Sequence, residues 1–268
     1  MRVEVLTPKI GARIHGLDLA APLDALTSRA INRAILDHLV VVIPEQDLTA
    51  HQYRDSMAQF GEPMLQHRAK FNLPECEQVS TVKSQGGFGA AVMWHTDHTN
   101  HERPPKFTAL YGTDIPNAGG DTEFANMYAG LDALGELEQR ELASMTTHNE
   151  MEVKPGYSES DRARNQGGAD QPMVRVHPET GKLALYFHVS KATEIVGRPD
   201  LETRPFLENL LRRSISSENT YRHAWRKGDV VICDNRCTMH RVHADYASDA
   251  VRVLWRVIVR GDRPQAVA

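Results

Sequence analysis

Hydrophobic and polar positions follow two periods along this 268-residue chain, and the period changes at glycines and prolines. Val3-Glu4-Val5 alternates as a short strand, and the segment 11–16 reads as a turn into a second strand. Leu26, Ile31, Ala34, Ile35 and Leu39 recur at helical spacing and predict an amphipathic helix over 25–39. Val40-Val41-Val42-Ile43 is then a buried strand stopped by Pro44, and Thr49 caps a helix over 50–60 that Gly61 ends. Residues 62–92 look irregular, with Gln85-Gly86-Gly87-Phe88-Gly89 as a flexible loop. Further on, the pattern predicts a strand over 107–113, one or two helical segments over 127–145 and a long polar loop over 154–172. Val174-Arg175-Val176-His177 and Leu183-Ala184-Leu185-Tyr186 flank Pro178-Glu179-Thr180-Gly181 as a hairpin. A helix over 206–214 and strands over 221–225, 230–233 and 250–260 complete the chain. Without internal repeat or clear linker, residues 1–268 read as a single α+β domain, mainly β towards the carboxyl half.

Composition adds exclusions more than identity. The chain is 41% hydrophobic and 25% charged, ordinary globular usage. A net charge of −4 and a pI near 6.4 argue against nucleic acid or an anionic membrane as a partner. Cys76, Cys233 and Cys237 form no zinc-type pair of pairs, and their odd number speaks against a disulfide framework. The first residues carry no apolar signal core, and no apolar run approaches the roughly 20 residues that span a bilayer. The expectation is a soluble, cytoplasmic protein.

Chemistry enters at Trp94-His95-Thr96-Asp97-His98. On a strand, His95 and Asp97 would point to the same face and could share one metal ion. Two histidines and one carboxylate form the facial triad of non-haem Fe(II) oxygenases, and His240 is the candidate third ligand. Arg252 and Arg256 stand four apart, hence on one face of an otherwise apolar strand, where each guanidinium calls for an anion. Gly119-Gly120-Asp121-Thr122 places a hydroxyl on a tight turn that could share a carboxylate with Arg252.

These blocks, with Arg103-Pro104-Pro105, Phe124-Ala125-Asn126-Met127-Tyr128, His177-Pro178-Glu179-Thr180-Gly181, Asp234-Asn235-Arg236 and Ala244-Asp245-Tyr246, give the chain a strong resemblance. It resembles the Fe(II)/2-oxoglutarate-dependent dioxygenases of the taurine dioxygenase and chlorophenoxyacetate dioxygenase family over nearly its whole length. The resemblance implies a double-stranded β-helix, a jelly roll with flanking helices. It implies Fe(II) on His95, Asp97 and His240, and the distal carboxylate of 2-oxoglutarate on Thr122 and Arg252. It places Arg256 and His67 at the anionic group of the prime substrate, with His98 as a pocket-lining residue and O2 as the oxidant. Asp97 stands where related halogenases carry a small residue, so oxidation of a C–H bond, with release of succinate and CO2, is the implied outcome. The family often forms dimers or tetramers, and the segments 62–92 and 154–172 would serve as lid loops.

Departures from the family pattern bear on the substrate. Ala91 and Val92 offer no amide ahead of the first ligand, Cys233 stands where tryptophan is common, and Tyr186-Phe187-His188-Val189-Ser190-Lys191 replaces an asparagine-proline-glycine type of segment. They point away from taurine and towards a less polar anion: an aryl- or alkyl-substituted acid, sulfonate or sulfate ester. Two other classes stay on the table: a non-catalytic jelly-roll sensor that keeps the metal site, and a zinc hydrolase. The hydrolase would need a general base beside the metal and leaves the arginine pair unused.

Overall fold

The sequence Val-Arg-Val-Leu-Trp-Arg-Val-Ile-Val-Arg is nearly continuous in strand-favouring residues, and it forms the ten-residue strand Val251–Arg260. Its two faces differ. Trp255, Val257 and Val259 join the core beneath the amino-terminal helices, while Leu254 joins the core between the sheets. Arg252 and Arg256 therefore face inward with Leu254, as their spacing requires. The structure, a computed structural model, describes residues 1–66, 68–151, 157–165 and 167–267.

Around this strand runs a nine-stranded sheet. In order it contains Arg2–Val5, Ala12–His15, Val40–Ile43, Val230–Asp234, Pro105–Asp114, Val251–Arg260, Cys76–Gln85 and Asn72–Leu73, with Pro63–Met64 pairing the end of Val251–Arg260. All pairings are antiparallel except Ala12–His15 with Val40–Ile43. A three-stranded sheet, Thr220–His223, Thr122–Asn126 and Thr238–Val242, supplies the opposing layer, and Phe124 and Trp225 pack with Val42, Leu110, Val231 and Leu254 between the layers. Helices Ala25–His38 and Ala50–Ala58 close the outer face of the large sheet through Ile31, Ile35, Tyr53 and Met57, all at most 1% exposed. Each such side chain contributes about 1.5–3 kcal/mol by leaving water. On the other side, Met127–Asp132, Glu136–Ala143 and Thr203–Ser214 cover the small sheet through Leu131, Leu142, Leu207 and Leu210.

Helix starts are fixed by side chains. Asp24 accepts from the backbone N–H groups of Leu26 and Thr27, and Thr49 forms a capping box with Gln52. The hairpin Val174–Val176 with Leu183–Leu185 forms as the pattern predicts. Three expectations fail. Within 62–92, Cys76–Gln85 is a ten-residue strand paired with Val251–Arg260, not irregular chain. Its register sets Ser84 opposite Arg252, Val82 opposite Leu254 and Ser80 opposite Arg256, so two of these three inward positions are polar where a buried strand reads as apolar. Within 154–172, Ser158 and Asp161 cap the helix Glu159–Arg164, and Ala169–Pro172 pairs with Thr146–Asn149. Residues 152–156 and 166 lie outside the described residues. The glycine-rich stretch is likewise a built turn. A Cβ on Gly86 would lie 2.5 Å from the Ser248 carbonyl oxygen, and one on Gly87 2.7 Å from Ala244 Cβ. Both have positive φ, so the turn needs glycine for fit as well as conformation.

One buried ionic group ties the layers together. Asp234, ending a strand of the large sheet, receives Arg236 in a two-pronged contact of 2.8 and 2.7 Å. Two backbone N–H groups donate to His177 Nδ1, leaving its Nε2–H to donate to Asp234 at 3.0 Å. Burial opposes the charge on Asp234, but Arg236 and His177 outweigh it and hold the carboxyl below its ordinary value of 3.8. This stabilisation is complete above the unfolded-state value and is lost as pH falls towards the lower folded one. Arg236→Met should lower the unfolding free energy by about 3–5 kcal/mol, because it strands a buried carboxylate. A denaturant midpoint equal to the parent's would refute that role.

Candidate metal centre

His95 and His240 come from segments 145 residues apart, yet they sit directly opposite each other in one antiparallel bridge. The His95 N–H donates to the His240 carbonyl at 3.0 Å, and the His240 N–H returns the bond at 2.8 Å. Directly opposed residues project to the same side of a sheet, and the two rings lie with centroids 4.2 Å apart. The H-x-D segment is thus not the strand its spacing suggested. It is a one-residue bridge at His95 followed by a turn through residues 97–100. The turn is what swings Asp97 back towards the histidines. His98 takes a φ of 56°, a left-handed conformation that histidine visits more readily than most residues.

Asn235 clamps this turn. Its Oδ1 accepts from the Asp97 N–H and the Thr96 hydroxyl, at 2.8 and 2.9 Å, and its Nδ2 donates to the carbonyls of Asp97 and Pro105, both at 3.1 Å. Thr108 then donates to Asp97 Oδ2 at 2.8 Å, and Arg256 Nη1 stands 3.5 Å from Oδ1. The ligand atoms of His95, Asp97 and His240 lie within 4.8 Å of one another, close enough for small side-chain rotations to bring them onto one ion.

The donors suit a divalent cation. His95 Nδ1 lies 2.8 Å from the Met93 carbonyl oxygen, which fixes the proton on Nδ1 and leaves the Nε2 lone pair for a metal. Burial keeps both imidazoles neutral: it lowers His95, and with the His95 ring beside it pushes His240 down to about 3. Burial works against the charge on Asp97 as well, but Arg256 and His240 hold its carboxyl well below the usual range. His240 Nδ1 is buried with no hydrogen-bond partner, an orphaned polar atom at the centre of the site. Neutral histidines and an ionised carboxylate on one flank leave the other flank to further ligands.

That open flank is a cavity of about 80 Å³ bordered by His95, His240, Thr122, Ser84, Arg252 and Arg256. Larger surface hollows, up to about 1000 Å³, contain no member of the triad. Arg252 is 1% exposed, and no carboxylate of the described residues lies within ion-pair distance of it. Burial lowers its pKa to about 10. Its Nε donates to the Gly120 carbonyl at 2.6 Å and its Nη2 to Thr122 Oγ1 at 2.9 Å. Thr122 Oγ1 also accepts from Trp225 Nε1 at 2.9 Å, so its own proton remains to be donated. A hydroxyl proton beside a buried guanidinium fits a carboxylate.

The structure thus brings His95, Asp97, His240, Thr122, Arg252 and Arg256 to one place. His67 lies outside the described residues. His98 is buried directly behind Asp97, its ring 5.2 Å from that of His101, and it does not border the cavity. Sequence reasoning missed the supporting residues Asn235, Thr108, Trp225 and Gln66, the last of which accepts from Arg256 Nη2. Asn235 stood inside a quoted motif, but its partners are more than 100 residues away and carry no local signal.

Comparison with known proteins gives the family of the chain. The family described as taurine catabolism dioxygenase TauD, TfdA family matches residues 2–258. An alkylsulfatase of Acinetobacter baylyi is 32% identical, with 98% of this chain and 86% of that protein aligned. An alpha-ketoglutarate-dependent sulfate ester dioxygenase of Pseudomonas putida is 32% identical over 99% of this chain and 91% of its own. A crystal structure of a taurine dioxygenase from Burkholderia xenovorans matches with a TM-score of 0.84 at 32% identity, covering 99% of this chain and 92% of that one. The structure of AAD-2 with Mn(II) and N-oxalylglycine matches with a TM-score of 0.82 at 27% identity, covering 99% of each chain. A jelly roll of opposed sheets, a histidine–carboxylate cluster and a buried arginine–threonine pair sharing one cavity accordingly place the chain in the TauD/TfdA family of alpha-ketoglutarate-dependent dioxygenases.

Proposed function

We propose that this chain binds Fe(II) through His95, Asp97 and His240 and 2-oxoglutarate through Thr122 and Arg252, and oxidises a C–H bond of a small organic anion held at Arg256. The observation that carries the reading is the buried Arg252–Thr122 pair bordering the same cavity as the two histidines. Bound there, the iron, 2-oxoglutarate and O2 supply the oxidising power, with succinate and CO2 as co-products.

The residues of the chain do the positioning. Met93 and Thr108 fix the orientations of His95 and Asp97, and Arg252 with Thr122 sets the depth at which a dicarboxylate can enter. Val82, Leu110 and Leu254 give the cavity an apolar wall that limits water. Arg256, partly exposed and joined to Gln66 and Asp97, presents a guanidinium to an incoming sulfate or carboxylate. The relative named for sulfate esters acts on compounds that join an anionic sulfate to an organic group. A hydrolase would need a general base, and among the described residues no carboxylate borders the cavity. Hydroxylation of an aryl- or alkyl-substituted acid, sulfonate or sulfate ester fits best.

Purified protein should form succinate from 2-oxoglutarate only with Fe(II), O2 and such an anion present. An iron-loaded, folded protein that decarboxylates no 2-oxoglutarate across a panel of these acids would exclude the reading. Arg252→Gln should raise the KM for 2-oxoglutarate by about 10- to 100-fold, the worth of a charge-assisted hydrogen bond. An unaltered KM would remove Arg252 from the cosubstrate site. Asn235→Ala should weaken Fe(II) binding by roughly 10- to 100-fold while the fold survives, as expected for a residue that orients a ligand. Metal titration followed by circular dichroism tests both halves of that expectation.

A further inference from the structure

The segment Ala244-Asp245-Tyr246 is wedged between two glycine turns. On one side, Cβ atoms on Gly86 and Gly87 would meet Ser248 and Ala244; on the other, one on Gly119 would strike the Asp245 carbonyl oxygen. Asp245 is tied down further, because its Oδ1 accepts from the Gly120 N–H at 3.0 Å and its Oδ2 from Arg222 Nη2 at 2.6 Å. Backbone packed this closely has little freedom, so the fold fixes the direction in which Tyr246 projects.

That direction is inward. A Cβ on Gly120 would come 3.3 Å from Tyr246 Cδ1 and 3.1 Å from Arg252 Cδ, so the bare glycine lets the phenol ring lie beside the arginine stem. The phenol reaches Ser84 and donates to its Oγ at 2.6 Å. Ser84 is buried, is the cross-strand partner of Arg252 and borders the cavity together with Arg252 and Thr122. A serine hydroxyl has one proton as well as its lone pairs. Tyr246 occupies a lone pair, and among the described residues no acceptor takes the proton.

Thr122 is built the same way. Trp225 Nε1 and Arg252 Nη2 occupy its oxygen and leave its proton over. Trp225 and Tyr246 thus play matching parts: each is a buried aromatic donor that fills the oxygen of a cavity-lining hydroxyl, so that the hydroxyl offers its proton. Arg252 adds the N–H groups it has not given to Gly120 and Thr122. Three donors therefore border one cavity that no carboxylate of the described residues enters. A carboxylate offers about four lone-pair sites, so one end of a dicarboxylate accepts all three. Arg252 and Ser84 stand on the large sheet and Thr122 on the small one, so the grip comes from both layers.

We propose that Ser84 is a third donor to the distal carboxylate of 2-oxoglutarate, beside Arg252 and Thr122, and that Tyr246 is the residue that positions it. This rests on the dioxygenase reading above and adds to it a Ser84–Tyr246 pair that the arginine–threonine pair does not require. No covalent step is involved.

The test is calorimetric binding of two metal chelators to the Mn(II)-loaded protein. N-oxalylglycine carries a distal carboxylate, whereas oxalate offers a chelating end without one. Ser84→Ala should weaken N-oxalylglycine by about tenfold or more, the scale of a hydrogen bond to a charged group, while oxalate affinity stays within about twofold of the parent's. Tyr246→Phe, which removes a single oxygen atom, should weaken N-oxalylglycine by about three- to tenfold and likewise spare oxalate. In turnover, both variants should raise the KM for 2-oxoglutarate more than they lower kcat. An N-oxalylglycine affinity in Ser84→Ala equal to the parent's, or an equal loss for both chelators, overturns the third donor and leaves the dioxygenase reading intact. Should Ser84→Ala fail to fold, Tyr246→Phe decides by the same comparison. A parent that binds neither chelator refutes the underlying reading instead.

Discussion

The site depends on one pair of backbone hydrogen bonds, those exchanged between His95 and His240. They fix both imidazoles on the same side of a seam where the 94–98 segment meets the small sheet. The third ligand cannot come from the same geometry, since a continuing strand would carry Asp97 onward along the seam. The chain instead turns at residues 97–100, and Asn235 holds that turn with both ends of its amide. Because Asn235 also bonds the Pro105 carbonyl, where a long strand of the large sheet begins, the three candidate ligands are referenced to both layers. Rigid placement of this kind is what a metal site with open positions needs, because the ion is not enclosed by enough ligands to organise them itself.

Electrostatics set the next constraint. Asp97 is a single buried carboxylate with Arg256 next to it and Lys191 within electrostatic reach, and Arg252 lies buried deeper in the same cavity wall. Interiors tolerate charge only when it is paired. Among the described residues no carboxylate pairs with Arg252, so its pairing falls to a molecule that binds. The same imbalance that costs stability in the apo protein favours 2-oxoglutarate and an anionic substrate over water and neutral solutes.

Much of this was legible in the sequence. Helix 25–38, strand 40–43, the hairpin around Pro178–Gly181 and the inward stagger of Arg252 and Arg256 follow from period and turn chemistry, and the structure shows each of them. The three candidate ligands were legible through the resemblance: His95 and Asp97 alone are a weak signal, and the family blocks along the chain are what joined His240 to them. What stayed hidden were residues whose work is done at long range. Thr108 reaches Asp97, Trp225 reaches Thr122, and Gln66 reaches Arg256, and none of these side chains has a local pattern to announce it. The turn after His95 was hidden for another reason, since two alternating residues are compatible with either a strand or a turn.

The misread strand Cys76–Gln85 shows that such errors have a location. Strand detection relies on an apolar inner face, and this strand breaks the rule at Ser80 and Ser84. Those serines are the cross-strand partners of Arg256 and Arg252. Ser80 donates to the Arg256 carbonyl, and Ser84 borders the cavity with Arg252 and accepts from the Tyr246 hydroxyl. The polarity that hides the strand therefore belongs to its place beside the cavity. Polar residues on an inward face are tolerated where a ligand completes their surroundings, so the place where the pattern fails also marks the wall of the pocket.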